Sequence, residues 1–183
     1  MNDYAVLLYF DEQTQKSLSD LINVAADACG NRNMLEPSII PPHITICYFT
    51  ADNPDTAIIL INEKTKKMDA GRIILPALGA FPPTVLYAAP ILNEFLLRLC
   101  SELNALLGSK VKLADYYRPY NWMPHTTLAT NLTLQQFTQS FISISEKFKP
   151  MMGTAAALSL AFCDPFTELK TWELADAQKE LQA

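Results

Sequence analysis

The sequence has 183 residues, a formal net charge of −5, 50% hydrophobic residues and 18% charged residues. This composition excludes a disordered chain, and 12 Pro with 5 Gly fit neither a collagen-like nor a low-complexity segment. A chain of this length buries roughly 70% of its unfolded surface, so we expect one folded domain. The acidic balance argues against duplex DNA as a partner, because binding to phosphates over a broad surface needs a basic face.

The N-terminal apolar run at 5–10 is too short for a signal peptide, since Asp11 and Glu12 end it and no basic segment precedes it. We therefore expect a cytoplasmic protein. A second stretch, 73–93, contains no charge and is long enough to span a membrane, but several prolines interrupt it. Two short strands joined around 82–83 explain it better, so no membrane association is expected.

The cysteines predict free thiols, because none of them forms a Cys-x-x-Cys pair and no secretory signal is present. We expect neither a metal nor a cofactor. The cysteines are Cys29, Cys47, Cys100 and Cys163.

Hydrophobic periodicity and turn residues predict alternating strands and helices in two successive runs. In the first run, the predicted elements are a strand at 4–10, a helix at 11–30, a strand at 43–49, a helix at 54–68 and a strand at 71–82. In the second run, they are a strand at 84–89, a helix at 91–107, a strand at 125–129, a helix at 132–148, a strand at 153–163 and a closing strand at 166–174.

The two runs indicate an internal repeat, with approximate units 4–83 and 84–174 in a single domain of residues 1–183. Sliding the chain by 82 positions superposes identical residues at matching points of the element order. The matched pairs are Pro42 with Pro124, His43 with His125, Thr45 with Thr127, Thr56 with Thr138, Gly71 with Gly153, Leu78 with Leu160, and Pro83 with Pro165.

Both histidines of the chain lie in the same motif, Pro-His-x-Thr, at the start of a predicted strand. Residues i and i+2 of a strand share a face, so His43 projects with Thr45 and His125 with Thr127. Two imidazoles can act as general base and general acid, while the threonine hydroxyls donate to phosphoryl oxygens. This arrangement suits in-line displacement at phosphorus without a metal.

The paired motifs in a duplicated chain of this size resemble those of the two-histidine phosphoesterase superfamily, which includes 2′-5′ RNA ligases and RNA 2′,3′-cyclic phosphodiesterases. The resemblance extends from 4 to about 174. It implies an α+β, bilobal fold with a pseudo-two-fold axis, in which two antiparallel sheets flank a central groove and helices lie outside. It also implies that His43 and His125 are the catalytic acid and base, and that Thr45 and Thr127 bind the phosphate.

This chain departs from the family after the second motif, where several RNA-processing members carry a basic residue and this chain has Thr130. The departure weakens the case for a long RNA substrate. The cation that assists phosphate binding is left open between Arg118, Lys110, Lys112 and Lys170.

An aromatic loop precedes His125 and contains Tyr116, Tyr117, Arg118, Tyr120 and Trp122. These side chains could stack on a nucleobase and contact its phosphate, with Arg118, Tyr120 and Trp122 as candidate nucleotide contacts. Alternatively, the loop buries its rings to anchor itself to the protein. The sequence leaves both interpretations open.

The expected function is a metal-independent phosphodiesterase that hydrolyses, or reversibly forms, a cyclic or 2′-5′ phosphodiester of a nucleotide or RNA end. A non-catalytic nucleotide-binding regulatory module with the same groove is the alternative. The expected partner is a small nucleotide or an RNA-terminal cyclic phosphate, and the expected state is a monomer. The sequence does not say which histidine is the acid.

Overall fold

The computed structural model describes residues 1–36 and 39–175, so the end of the predicted domain, 176–183, lies outside the described residues. The described strands are β1 Asn2–Phe10, β2 Ile44–Ala51, β3 Arg72–Leu75, β4 Ala77–Phe81, β5 Val85–Ala89, β6 Lys112–Leu113, β7 Thr126–Ala129, β8 Met151–Cys163 and β9 Phe166–Glu173. The described α-helices are α1 Glu12–Cys29, α2 Asp55–Thr65, α3 Glu94–Leu107 and α4 Leu134–Lys147, and a short 3-10 helix covers Asp115–Tyr117.

Local capping signals fix the ends of three helices. The side chains of Asp11 and Asn93 accept hydrogen bonds from backbone N–H groups in the first turns of α1 and α3. Thr133 and Gln136 form a reciprocal capping box at the start of α4. Gly30 ends α1 with φ 70°, a left-handed conformation that glycine adopts without steric cost.

The strands form two antiparallel sheets, which confirms the predicted fold class. The large sheet has the order β3-β8-β1-β2-β6, and β9 also pairs with β8. The small sheet has the order β4-β5-β7. Each sheet takes strands from both predicted repeat units, so the chain crosses between the two lobes.

One predicted element is wrong. The expected strand at 71–82 is two strands, β3 and β4, which belong to different sheets. They separate at Pro76, which has no backbone N–H to donate to a ladder. The structure also contains β6 and the 3-10 helix, which are too short to produce a periodic signal. The other predicted strands and helices occur with small shifts at their ends.

Helices cover one face of each sheet. Helices α1 and α4 pack together and onto β7 and β5 of the small sheet, while α2 and α3 pack together and onto β9 and β2 of the large sheet. A single hydrophobic core runs through both layers. On the opposite side of the large sheet, β1 and β8 contribute a separate small cluster that includes Leu7 and Ala161. We call this opposite side the motif face of the large sheet.

The fold places the uncharged stretch and the four cysteines. The uncharged stretch 73–93 contains β3, β4 and β5, and the last two form a hairpin as predicted. No helix in residues 1–36 and 39–175 has the length and apolar character needed to cross a bilayer. All four cysteines are free thiols; Cys47 and Cys100 are buried, whereas Cys29 and Cys163 are half-buried.

Candidate active site

The side chains of each motif alternate between the core and the opposite side of the strand, as predicted from the sequence. In β2, Ile44 lies opposite Leu8 and is fully buried, whereas Thr45 lies opposite Leu7 and is half-buried on the motif face. The corresponding residues of β7 are the fully buried Thr126 and the half-buried Thr127. The histidine that precedes each strand is also half-buried. One side of each motif therefore packs in the core, and the other side carries the polar pair.

Both imidazoles are held by the backbone carbonyl two residues before them. His43 Nδ1 lies 2.7 Å from the Pro41 carbonyl oxygen, and His125 Nδ1 lies 2.8 Å from the Met123 carbonyl oxygen. A carbonyl only accepts hydrogen bonds, so each Nδ1 donates its proton, and in the neutral ring Nε2 is left as the acceptor. The sequence pattern does not reveal these two carbonyls, although positions 41 and 123 also differ by 82.

The structure brings the two histidines together. Strands β2 and β7 approach each other where the two sheets meet. His125 is close enough for its positive charge to lower the pKa of His43. Two imidazoles in one site, each with Nε2 free to exchange a proton, can serve as an acid and a base.

The two histidines have different neighbours. Burial lowers the pKa of His43; the Pro41 carbonyl and Glu168 oppose this effect. The His43 and Tyr9 rings make an edge-to-face contact, with ring centroids 6.4 Å apart and an angle of 83° between the planes. The Tyr9 hydroxyl donates a hydrogen bond to Glu168.

His125 packs against two aromatic rings that also contact each other. Phe81 meets it edge to face at a centroid distance of 5.1 Å, and Tyr87 contacts it at 5.3 Å. Tyr87 is also the strand partner of Thr127, so this ring lies beside both members of the second motif. Burial lowers the pKa of His125, and the Met123 carbonyl opposes this effect.

The aromatic loop anchors itself to the first motif through two of its rings. Trp122 is only 7% exposed, and its indole N–H donates to the Thr45 carbonyl at 2.9 Å. Tyr117 stacks on Tyr48 with centroids 5.7 Å apart, and burial raises the pKa of its hydroxyl, an effect that the Thr45 side chain opposes. For these two residues, the structure favours the anchoring interpretation.

The other candidates in this loop face solvent. Tyr120 is fully exposed. Arg118 is half exposed and forms an ion pair with Asp115 at 3.0 Å. Within the described residues, neither side chain has a hydrogen bond or a ring contact with the histidines or threonines of the motifs. Their role as nucleotide contacts therefore stays a prediction.

Two of the candidate cations, Lys170 and Lys112, lie away from the two motifs. Lys170 is the partner of the core residue Leu160, and its ammonium lies 5.5 Å from the centre of the Trp172 ring, on the helix-covered side of the large sheet. Lys112 pairs with Thr50 at the far end of β2. In residues 1–36 and 39–175, no three His, Cys, Asp or Glu side chains form a group that could hold a metal ion.

Residues 37–161 match the family model of the 2′-5′ RNA ligase superfamily. The chain belongs to this superfamily. The resemblance to two-histidine phosphoesterases drawn from the motifs is thereby confirmed. A search of curated protein sequences found no match.

Solved structures of the superfamily share the fold. A phosphoesterase crystal structure has a TM-score of 0.64 and 13% identity, covering 96% of this chain and 100% of that chain. E. coli LigT complexed with 3′-AMP has a TM-score of 0.62 and 13% identity, covering 94% of this chain and 98% of that chain. TT0787 of Thermus thermophilus has a TM-score of 0.61 and 16% identity, covering 96% of this chain and 99% of that chain. At these identities the likeness is one of fold.

Proposed function

We propose that this member of the superfamily is a metal-independent phosphodiesterase that hydrolyses, or reversibly forms, a cyclic or 2′-5′ phosphodiester of a nucleotide or RNA end. One observation carries the proposal: two neighbouring imidazoles are each held at Nδ1 by a backbone carbonyl, which leaves both Nε2 atoms for proton transfer. His43 and His125 are the proposed acid–base pair. Thr45 and Thr127 are the proposed phosphate ligands.

Hydrolysis of a 2′,3′-cyclic phosphate illustrates the chemistry. One neutral imidazole accepts a proton from water as the water oxygen forms a bond to phosphorus. The opposite P–O bond breaks, and the second imidazole, which starts protonated, donates its proton to the leaving ribose oxygen. The hydroxyls of Thr45 and Thr127 donate hydrogen bonds to the non-bridging oxygens, where negative charge is stabilised. Ligation uses the same groups in reverse.

The charge distribution supports a small or terminal substrate. A long RNA needs several cations to neutralise successive phosphates. Here Thr130 occupies the place of the basic residue found in several RNA-processing members. Lys170 is on the far side of the sheet, and the carboxylate of Glu168 lies near His43. E. coli LigT, which shares the fold, has been crystallised with 3′-AMP, ATP and NADP+. We therefore propose a nucleotide or an RNA-terminal cyclic phosphate, bound by a monomeric cytoplasmic enzyme.

The outer part of the substrate has candidate contacts in the aromatic loop. The exposed ring of Tyr120 could stack on a base, and Arg118 could exchange Asp115 for a phosphate. Trp122 contributes by fixing the backbone of Thr45.

The proposal is tested with 2′,3′-cyclic nucleotides, RNA ending in a cyclic phosphate and 2′-5′ oligonucleotides, each with and without a chelator. We expect turnover that the chelator does not reduce, and a loss of about 10²–10⁴-fold in His43→Ala and His125→Ala, because each removes a proton-transfer group. Gln135→Ala, which removes an exposed side chain of α4, is the control for truncation to alanine and should retain full turnover. Turnover that disappears with chelation and returns with zinc would contradict the mechanism.

The same substrates decide between an enzyme and a binding module. Saturable binding without turnover on any of them would identify a non-catalytic nucleotide-binding module. For the enzyme, kcat/KM follows a bell-shaped pH profile. The limb set by the base lies below the ordinary histidine range, because burial lowers the pKa of both His43 and His125.

A further inference from the structure

We propose that Tyr9 and Glu168 form a positioning pair for His43, in which the Tyr9 ring orients the imidazole and the Tyr9 hydroxyl holds the Glu168 carboxylate on the same side of the site. Neither residue belongs to a Pro-His-x-Thr motif. The proposal deepens the proposed function, and only its consequence for turnover rests on that function.

Tyr9 reaches His43 because of the pairing of β1. Leu7 lies opposite Thr45 in β2, so Leu7 and the residue two positions later, Tyr9, share the motif face. Tyr9 is half-buried, and its ring presents an edge-to-face contact to the imidazole, with an angle of 83° between the planes. A ring packed in this way restricts the rotation of the imidazole about its own side-chain bonds.

Glu168 reaches the motif face through an irregularity in the pairing of β8 and β9. Leu160 pairs with Lys170, but the register then shifts and Ala161 pairs with Glu168. With regular pairing, Leu169 would take that place opposite Ala161, a residue of the motif-face cluster. A bulge re-aims side chains in this way, and here it directs a carboxylate to the Tyr9 hydroxyl.

Two further hydroxyls, those of Ser159 and Thr171, lie on the motif face of the large sheet. Ser159 lies opposite Leu7 in β8, is fully buried, and lowers the pKa of Tyr9, against the larger effects of burial and Glu168. Thr171 of β9 donates to the Ser159 hydroxyl oxygen at 3.1 Å. Hydrogen bonds on this face therefore join β1 to β9 at Glu168 and β9 to β8 at Ser159.

The charges around His43 come from three elements. Glu168 of β9 is a carboxylate, Tyr9 of β1 is a neutral hydroxyl whose pKa is raised by burial and by Glu168, and His125 of β7 is a second imidazole. Glu168 raises the pKa of His43, whereas burial and His125 lower it. Among the described contacts of His125 there is no carboxylate, so the pair makes the two histidines unequal.

The test is a proton NMR titration, for which this chain is well suited because it has two histidines. We expect Glu168→Gln to lower the pKa of His43 by more than it changes that of His125. Glu173→Gln is the matched control, since it removes an exposed carboxylate of the same strand that is not among the charges shifting the pKa of His43. This control should leave the pKa values of both histidines unchanged. The protein is used without a histidine tag.

The role of the ring is tested with Tyr9→Leu and Tyr9→Phe. Tyr9→Leu should change the chemical shift of the His43 ring protons and lower kcat about tenfold with little change in KM, because a misplaced imidazole transfers protons less efficiently. Tyr9→Phe keeps the ring and should keep the His43 chemical shift and most of kcat.

An unchanged pKa of His43 in Glu168→Gln, or an equal shift of both histidines, would overturn the proposal. Glu168→Ala provides a second replacement if the glutamine variant folds poorly. The titration needs no substrate, so its outcome is independent of turnover. Expected titrations together with no turnover on any phosphodiester would contradict the proposed function alone.

Discussion

His43 and His125 share one backbone arrangement but lie in different surroundings. Each ring is held at Nδ1 by the carbonyl two residues before it, and each histidine is followed by a fully buried residue that begins a strand. Yet His43 is next to the polar Tyr9–Glu168 pair, whereas His125 packs against the Phe81 and Tyr87 rings. A repeated motif therefore fixes the orientation of a side chain, while the sheet around it sets the environment of its proton.

The sheets explain this difference. Strand β2 lies inside the large sheet between β1 and β6, so its neighbours come from β1 and from the β8–β9 hairpin beyond it. Strand β7 lies at the edge of the small sheet, and its neighbours come from the β4–β5 hairpin. In addition, the aromatic loop fixes the Thr45 carbonyl, and no equivalent indole contact is found at Thr127 within the described residues. The two halves of the site can therefore be perturbed separately.

Among the changes that test this comparison, the loss of either threonine hydroxyl has the largest expected effect. Thr45→Val and Thr127→Val each remove a proposed donor to a phosphoryl oxygen, and we expect kcat to fall by about 10²–10³-fold. Thr167→Val, an exposed residue of β9, is the control for the substitution itself. Steady-state kinetics on a 2′,3′-cyclic nucleotide measure the effect. If one variant keeps full activity, a single motif binds the phosphate and the functional symmetry of the pairs is lost.

A smaller effect is expected from a change that reaches only the second motif. Gly79 lies opposite Tyr87, and a Cβ at position 79 would be 2.2 Å from the Tyr87 ring. Gly79→Ala should therefore displace this ring from His125 and lower kcat about tenfold. The NMR signals of His125 should shift, whereas those of His43 should not.

A double-mutant cycle separates this effect from general damage to the small sheet. In a Tyr87→Leu background there is no ring to displace, so Gly79→Ala should cause little further loss of kcat. Additive losses would show that Gly79 acts on the backbone rather than through Tyr87.

The counterpart on the first motif is Trp122→Phe, which acts mainly on stability. It removes the N–H that satisfies the Thr45 carbonyl, and leaving such a group unpaired costs about 1–3 kcal/mol in the free energy of unfolding. Urea denaturation measures this loss, with Tyr116→Phe as a control in the same loop. A loss of kcat without any loss of stability would instead place Trp122 in contact with the substrate.

Sequence alone predicts the parts of this site that depend on local geometry. Strand alternation was enough to place Thr45 and Thr127 on the side opposite Ile44 and Thr126, and the helix predicted at 11–30 is α1, Glu12–Cys29. The resemblance carried by the motifs supplied the two-sheet fold, which local patterns do not specify.

The remaining features depend on contacts between distant parts of the chain. Glu168 meets Tyr9 because of one register shift between β8 and β9, and nothing in the local pattern of 166–174 indicates it. Trp122 lies 77 positions from its partner Thr45. The switch of sheets at Pro76 was not predicted because β3 and β4 are both apolar, and only their different partners, β8 and β5, distinguish them.

The smallest expected effect concerns the middle residue of each motif, Ile44 in the first and Thr126 in the second. Both side chains are fully buried, but the Thr126 hydroxyl has no hydrogen-bond partner in the part of the chain that the structure describes. Thr126→Val should therefore raise the free energy of unfolding by about 1 kcal/mol, because it removes an unpaired polar group at nearly constant shape. Activity should not change, since Thr126 faces the core.

The matched control is Thr65→Val at the end of α2, where a buried hydroxyl donates to the Asn62 carbonyl at 3.1 Å. That variant loses a hydrogen bond and should be less stable by about 0.5–1.5 kcal/mol in the same urea titration. Opposite signs for the two variants would show that the second motif carries a destabilising hydroxyl that the first motif lacks. If Thr126→Val is destabilised like Thr65→Val, the Thr126 hydroxyl has a hydrogen-bond partner such as a buried water. The second motif would then contain a buried, paired hydroxyl where the first motif contains the apolar side chain of Ile44, and this hydroxyl would not destabilise the fold.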